Sequence, residues 1–209
     1  SNSDSKTFDA SGGNPSGPTV TINSPTSSLL TNSGDLNIDV TASGNNLKST
    51  SSVKLQVLDS TGAIVKDPAP FNLSVSGTTG TFKKADFDIS ALTDGTYTLK
   101  VTIKNKLNIS NTKESTFKID RSKPSITGTI VPSLTDEDKF TIDITISDPS
   151  GIASIKLAGV PYTDFTAGDV SVHIVKDISE TSIVVDATDS ASNSDSKTFD
   201  ASGGNPSGP

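Results

Sequence analysis

The chain contains no cysteine, methionine or tryptophan and a single histidine, and aromatic residues make up 5% of its 209 positions. Without cysteine there is no disulfide framework, no thiolate nucleophile and no cysteine-ligated metal. The one imidazole, His173, stands in Val170-Ser171-Val172-His173-Ile174, where alternation turns it away from Val172 and Ile174 and toward solvent. A hydrolytic triad thus lacks a base, and an enzyme is not expected. Basic residues are also scarce. Seventeen Lys and Arg face twenty-four Asp and Glu, for a net charge of −7 and a pI near 4.6. A nucleic-acid binder would show a basic stripe, so no nucleic-acid partner is expected. Hydrophobic residues amount to 31%, and no run approaches the ~18 apolar positions a membrane-crossing helix needs, so this segment should not insert into a membrane. The opening Ser1-Asn2-Ser3-Asp4 has no signal-peptide pattern.

What the chain does have is a repeat. Residues 1–18, SNSDSKTFDASGGNPSGP, return unchanged as residues 192–209, a spacing of 191 positions. Chance does not produce two identical 18-mers, and a linker would not include the strand-like SKTFDA. The sequence reads as one unit of a tandem array, opening on the tail strand and linker of the preceding unit. Its first partners are then neighbouring identical repeats. Ser5-Lys6-Thr7-Phe8-Asp9, separated from its own domain, would lack a sheet or pair with an exposed edge of another molecule.

Between the copies the hydrophobic period is two. Leu36, Ile38, Val40 and Ala42 alternate with polar residues, as do Val53, Leu55 and Val57, then Tyr97, Leu99, Val101 and Ile103, then Phe117 and Ile119. A second set follows: Phe140, Ile142, Ile144 and Ile146; Ile155 and Leu157; Val170, Val172 and Ile174; Ile183, Val185 and Ala187. Such patterns form strands with one face on a core and the other in water. Turn signals at Asp59-Ser60-Thr61-Gly62, Asp94-Gly95, Asp148-Pro149-Ser150-Gly151 and Ala167-Gly168-Asp169 separate them. The spacing predicts an all-β chain of two tandem β-sandwich domains, over 19–120 and 121–200. The joint is Asp120-Arg121-Ser122-Lys123-Pro124, and 201–209 is a Gly/Pro/Ser linker to the next repeat.

Particular residues carry a family likeness. Leu92-Thr93-Asp94-Gly95-Thr96-Tyr97 looks like the E–F corner of an immunoglobulin-like fold, with Tyr97 as the tyrosine-corner residue. Val185-Asp186-Ala187-Thr188-Asp189-Ser190-Ala191-Ser192-Asn193 resembles the V-x-A-x-D-x-A-G-N close of bacterial Ig-like modules. Ile119-Asp120-Arg121-Ser122-Lys123-Pro124 resembles their D-x-x-x-P linker, and Asp148-Pro149-Ser150-Gly151-Ile152 their D-x-S-G-I loop. Two departures stand out: Ser192 replaces the usual Gly, and Ile183 takes the slot matching Tyr97. The resemblance implies tandem modules of large bacterial surface adhesins, exported and extracellular, at the cell surface or secreted.

Other chemistry is weak. Gly12-Gly13 and Gly203-Gly204 adjoin Asn and Pro and open no helix, so they are no phosphate cradle. Asp136, Glu137 and Asp138 read as a charged turn. A Lys–Asn isopeptide bond finds no Lys on the first strand, Thr19–Asn23, and the other lysines alternate outward. Oxygen-ligand metal binding is the stronger candidate. In an Ig-like sandwich the N-terminus, the B–C loop and the F–G loop share one pole, which in the second domain gathers Asp120, Asp148, Asp189 and Asn193. Carboxylates so crowded repel unless a cation lies between them, and hard oxygens select Ca2+. The competing reading is structural: Asp148 starts a type I turn, and Asp189 bonds its own loop. The matching loops of the first domain, 43–48 and 104–108, hold lysines and no carboxylates. A stiff joint within each unit and a pliable one between units should follow, with each unit ~80–90 Å long from ten-residue strands at ~3.3 Å per residue. The functional expectation is a stalk or spacer that extends a distal region, through which a host or surface ligand is met. The alternatives are a glycan- or protein-binding module, for which Tyr162 and Phe165 are the loop aromatics, or an accessory domain of an extracellular polysaccharide-active enzyme.

Overall fold

A computed structural model describes residues 16–201. The strand expected at 5–9 and the linker expected at 202–209 lie outside the described residues. Among those described there is no helix, and every regular element is a strand. The chain separates into two compact units, one of residues 16–29 and Gly34–Phe117, the other of Leu30–Ser33 and 118–201.

The first nine strands are β1 (Thr19–Ser24), β2 (Leu29–Thr31), β3 (Asp35–Ser43), β4 (Val53–Leu58), β5 (Ile64–Lys66), β6 (Ser74–Ser76), β7 (Thr79–Asp88), β8 (Gly95–Lys104) and β9 (Ser110–Ile119). They form two sheets, β1-β3-β7-β6 and β2-β9-β8-β4-β5. The remaining seven are β10 (Ser125–Pro132), β11 (Phe140–Ser147), β12 (Ile152–Leu157), β13 (Val160–Tyr162), β14 (Ser171–Ile178), β15 (Ser182–Asp189) and β16 (Ser194–Asp200). Their sheets run β10-β11-β14 and β13-β12-β15-β16. The pairings β10–β11, β11–β14, β12–β15 and β15–β16 are antiparallel, and sequence neighbours such as β11 and β12 sit in opposite sheets. This is the immunoglobulin-like sandwich arrangement, present twice.

Alternation builds each core. In β3, Leu36, Ile38, Val40 and Ala42 are buried while the residues between them are partly or fully exposed. The second core gathers Ile142, Ile144, Ile146, Ile174, Val185 and Phe199. Two strands escape the period-two pattern. In β7 the inward residues are Gly80, Phe82 and Phe87, whose spacing changes parity across Asp86, at φ 54°. In β10 only Ile126 and Ile130 are buried, and Gly128, between them and opposite the buried Ile144, is exposed, so the middle beat is missing. A Cβ on Gly128 would lie 2.3 Å from the Asp143 carbonyl oxygen, so β11 approaches too closely for any side chain. Val170, counted above among the inward residues, instead precedes β14 and is exposed, because the strand begins one residue later. Tyr162, expected in a loop, closes β13.

Tyr97 is buried, its hydroxyl donates to the Thr93 carbonyl at 2.9 Å, and its ring stacks on Phe117 with centroids 5.9 Å apart. Ile183 is also buried but has no hydroxyl to offer. Tyr97→Phe keeps the ring and strands the Thr93 carbonyl, so it should cost about 1 kcal/mol, read by urea unfolding. A loss indistinguishable from zero would remove the corner from the account of stability.

Candidate metal centre

Three loops of the second unit deliver three aspartates to one place. Asp120 follows β9, Asp148 follows β11, and Asp189 ends β15. Each offers a carboxylate oxygen, and the three oxygens lie within 4.8 Å of one another. All three residues are almost completely buried, at 4%, 2% and 1% exposure. Two ligands on one calcium, at ~2.3–2.6 Å each, stand no more than about 5 Å apart, so the spacing fits a single shared ion.

Local structure explains how the side chains are aimed. Each carboxylate spends one oxygen on an amide of its own loop: Ser122 N–H donates to Asp120 at 3.1 Å, Ser150 N–H to Asp148 at 2.7 Å, and Asn193 N–H to Asp189 at 2.8 Å. These turns hold the side chains without neutralising them. Gly151 lets the β11–β12 loop close, with φ 88° and its N–H donating to the Asp148 carbonyl at 3.0 Å. Ser192 takes φ 71° where the family pattern has glycine, and its N–H still reaches the Asp189 carbonyl at 3.2 Å.

Asn193 meets the cluster through its amide nitrogen. Its Nδ2 donates to Asp189 Oδ2 at 2.8 Å and to the Asp120 carbonyl at 3.0 Å, while its Oδ1 accepts from Asn32 at 3.2 Å. In this arrangement it positions two of the aspartates, and the three carboxylates are the oxygens placed where one cation could be shared. Sequence reasoning did not single out Ser150 or Lys118. Ser150 Oγ donates to Asp120 Oδ2 and accepts from Lys118 Nζ at 2.8 Å. Lys118, next to last in β9, is half-buried, while Lys113 of the same strand is exposed. The D-x-S-G-I pattern held the signal for Ser150; the signal for Lys118 needed the fold.

Charge bookkeeping decides what the site wants. At an effective dielectric near 20, each carboxylate pair at this spacing repels by roughly 3 kcal/mol. Lys118 offsets part of that, through Ser150. Burial pushes the Asp148 carboxyl above the ordinary carboxylate range; the Ser150 amide opposes this, and Asp120 and Asp189 add to it. A divalent cation would bring three carboxylates and one ammonium to neutrality. The first domain supplies an internal contrast. Asn105, directly after β8 as Asp189 ends β15, is 1% exposed, and its Oδ1 accepts the amides of Leu107 and Ile109 at 2.9 and 3.0 Å. A neutral amide is therefore sufficient to tie this loop in the first domain.

The sign of the pH response follows. A carboxyl whose folded pKa is raised withdraws stability as pH climbs through that value and restores it below. In EDTA the second sandwich should gain melting temperature as pH falls from 7 toward 4. Asp136, held low by Lys139 and the Asp138 amide, opposes the gain only below the ordinary carboxylate range. Scanning calorimetry at stepped pH checks this, and a melting temperature that falls steadily from pH 7 to 4 would contradict it.

Comparison with known proteins adds the following. Residues 18–101 match the family model described as bacterial Ig domain. No curated protein matches the chain. Among solved structures, the Clostridium thermocellum CbhA fibronectin(III)-like modules align at 16% identity and TM-score 0.34, covering 88% of this chain and 94% of that one. A tetra-tandem repeat in the extending region of a large adhesion protein aligns at 19% identity and TM-score 0.35, covering 88% of this chain and 49% of that one. The Bacteroides ovatus mixed-linkage glucan utilization locus SGBP-B, in complex with a mixed-linkage heptasaccharide, aligns at 13% identity and TM-score 0.27, covering 84% of this chain and 43% of that one. No helix among the described residues is long and apolar enough to cross a membrane.

Proposed function

With a bacterial Ig domain over residues 18–101 as the premise, we propose that this chain is a non-catalytic spacer repeat of a bacterial surface or secreted adhesin. The observation that carries the reading is the duplicated segment. Its second copy supplies β16, the final strand of the second sandwich, so the unit repeats in the middle of a domain and each copy continues into the next. Serial sandwiches add reach without adding chemistry. Surplus acid keeps such a chain soluble. Calcium is the cofactor we propose for Asp120, Asp148 and Asp189. Bound there, it would fasten the incoming segment 118–123 to the two loops of the second sandwich. The distal ligand is met through other regions of the parent protein.

A second reading has one observation behind it. The Tyr162 and Phe165 rings are parallel within 7° at 6.4 Å, and Tyr162 borders a hollow of about 220 Å3 with Val160, Pro161 and Lys176. Parallel rings suit a sugar, but both pack against the second core, which spends faces a sugar would need. A glycan array probed with the full chain separates the readings. The spacer reading expects no glycan above background, and a signal abolished by Tyr162→Ala would replace it with recognition.

A further inference from the structure

The segment 192–201 makes a complete set of contacts on the second sandwich. Residues of β16 pair with β15 in unbroken register from Ser182↔Asp200 to Thr188↔Ser194. Phe199 enters the core at 6% exposure. Lys197 Nζ donates to the Ile126 carbonyl at 3.0 Å and lies 5.1 Å above the Phe199 ring, which ties the strand across to the opposite sheet. Ser196 Oγ donates to Asp186 at 2.6 Å, Ala201 N–H to the Thr181 carbonyl at 2.8 Å, and Asn193 reaches Asp189 with both its nitrogens. Being last in the order β13-β12-β15-β16, this strand has one neighbour to leave and one ladder to re-form.

The same ten residues stand at 1–10. Phe8 corresponds to Phe199, Lys6 to Lys197, Ser5 to Ser196 and Asn2 to Asn193. Whatever slot β16 fits, residues 1–10 of another molecule fit equally, side chain for side chain. We propose that the β16 position on β15 is a docking site for residues 1–10 of a second copy of this chain, joining molecules head to tail by strand exchange. The contact is heterologous, so successive exchanges extend the assembly without closing it. This stands on the duplicated segment and the strand contacts; where copies follow in one continuous chain, the same segment is the last strand of the preceding copy, and exchange moves it from one β15 to another. Within one molecule the attached β16 competes at an effective concentration on the order of millimolar, so exchange is minor at micromolar protein until that strand is weakened.

The test therefore weakens one copy of the segment at a time in the full chain. Phe199→Ala removes the core anchor from β16 and leaves Phe8 intact. Sedimentation velocity should find the F199A chain in dimers and longer species at concentrations where the parent protein is a monomer. F8A alone should remain monomeric, and F8A/F199A should lose the assemblies, because no anchored strand is left to exchange. A mixture of T7C/F199A with V184C/F199A should form a mixed disulfide, since Val184 faces Thr198, whose counterpart is Thr7. Nonspecific aggregation from a damaged core would give F199A and F8A/F199A the same mass distribution, which overturns the proposal, as does an F199A chain that remains monomeric.

Discussion

One millimolar calcium should raise the melting temperature of the second sandwich by ~10 °C or more if the ion's dissociation constant is near 10 μM. At a hundredfold excess over the dissociation constant, mass action stabilises by about 2.7 kcal/mol, and a domain of this size shifts by ~4–8 °C per kcal/mol. The physical cause is the removal of mutual repulsion among three carboxylates that the fold buries within 4.8 Å of one another. A sign reversal makes the prediction specific. Asp148→Asn retains an oxygen to accept the Ser150 amide and deletes one buried charge, so in EDTA it should melt at or above the parent protein. With calcium the order inverts, because one ligand is missing. Scanning calorimetry of both proteins in both buffers reads the four values. If Asp148→Asn melts below the parent in EDTA, the buried charge is already satisfied within the protein, and the cation is unnecessary.

The second large effect is expected at Gly151. A Cβ there would lie 2.4 Å from the Gly168 carbonyl oxygen and 2.8 Å from its carbon and Cα, all backbone atoms that cannot rotate away. The φ of 88° adds conformational strain of its own. Gly151→Ala should destabilise the second sandwich by about 3 kcal/mol. The damage should also reach the aspartates. The Gly151 carbonyl accepts from Ser190 N–H at 2.9 Å and Ser190 Oγ at 3.1 Å, so it couples the Asp148 loop to the Asp189 loop. Calcium affinity should fall by roughly an order of magnitude or more, as for the loss of a ligand-orienting partner. Gly159→Ala is the control: it has φ 78° but nothing within 4 Å, so it should cost only the backbone strain and leave calcium binding unchanged. Equal calcium affinity in Gly151→Ala and the parent would uncouple the loop from the site.

The two-sandwich fold was legible because β3, β8, β11 and β15 each bury every second residue, and that rhythm survives in sequence without knowledge of partners. Strand β10 was illegible for the opposite reason: between the buried Ile126 and Ile130 stands the exposed Gly128, whose identity is dictated by the approach of β11 and not by hydrophobicity. Strand β7 was obscured by a change of parity at Asp86. For the site, three aspartates could be placed together once the loop order of the sandwich was assumed. The orientation of Asn193 could not be placed, because its amide is fixed by Asn32, 161 residues away in sequence. The part played by Lys118 was hidden likewise, since strand alternation describes faces of a sheet and says nothing of what lies beyond its end.

The central claim is that each copy of this unit contributes length. Small-angle scattering on chains of one, two and three joined copies, in millimolar calcium, measures it directly. The account predicts that the maximum dimension grows by about 80–90 Å with every added copy, from two sandwiches of roughly 35–40 Å each and the linker between copies when they follow in series. A two-copy chain whose maximum dimension barely exceeds that of one copy would contradict it.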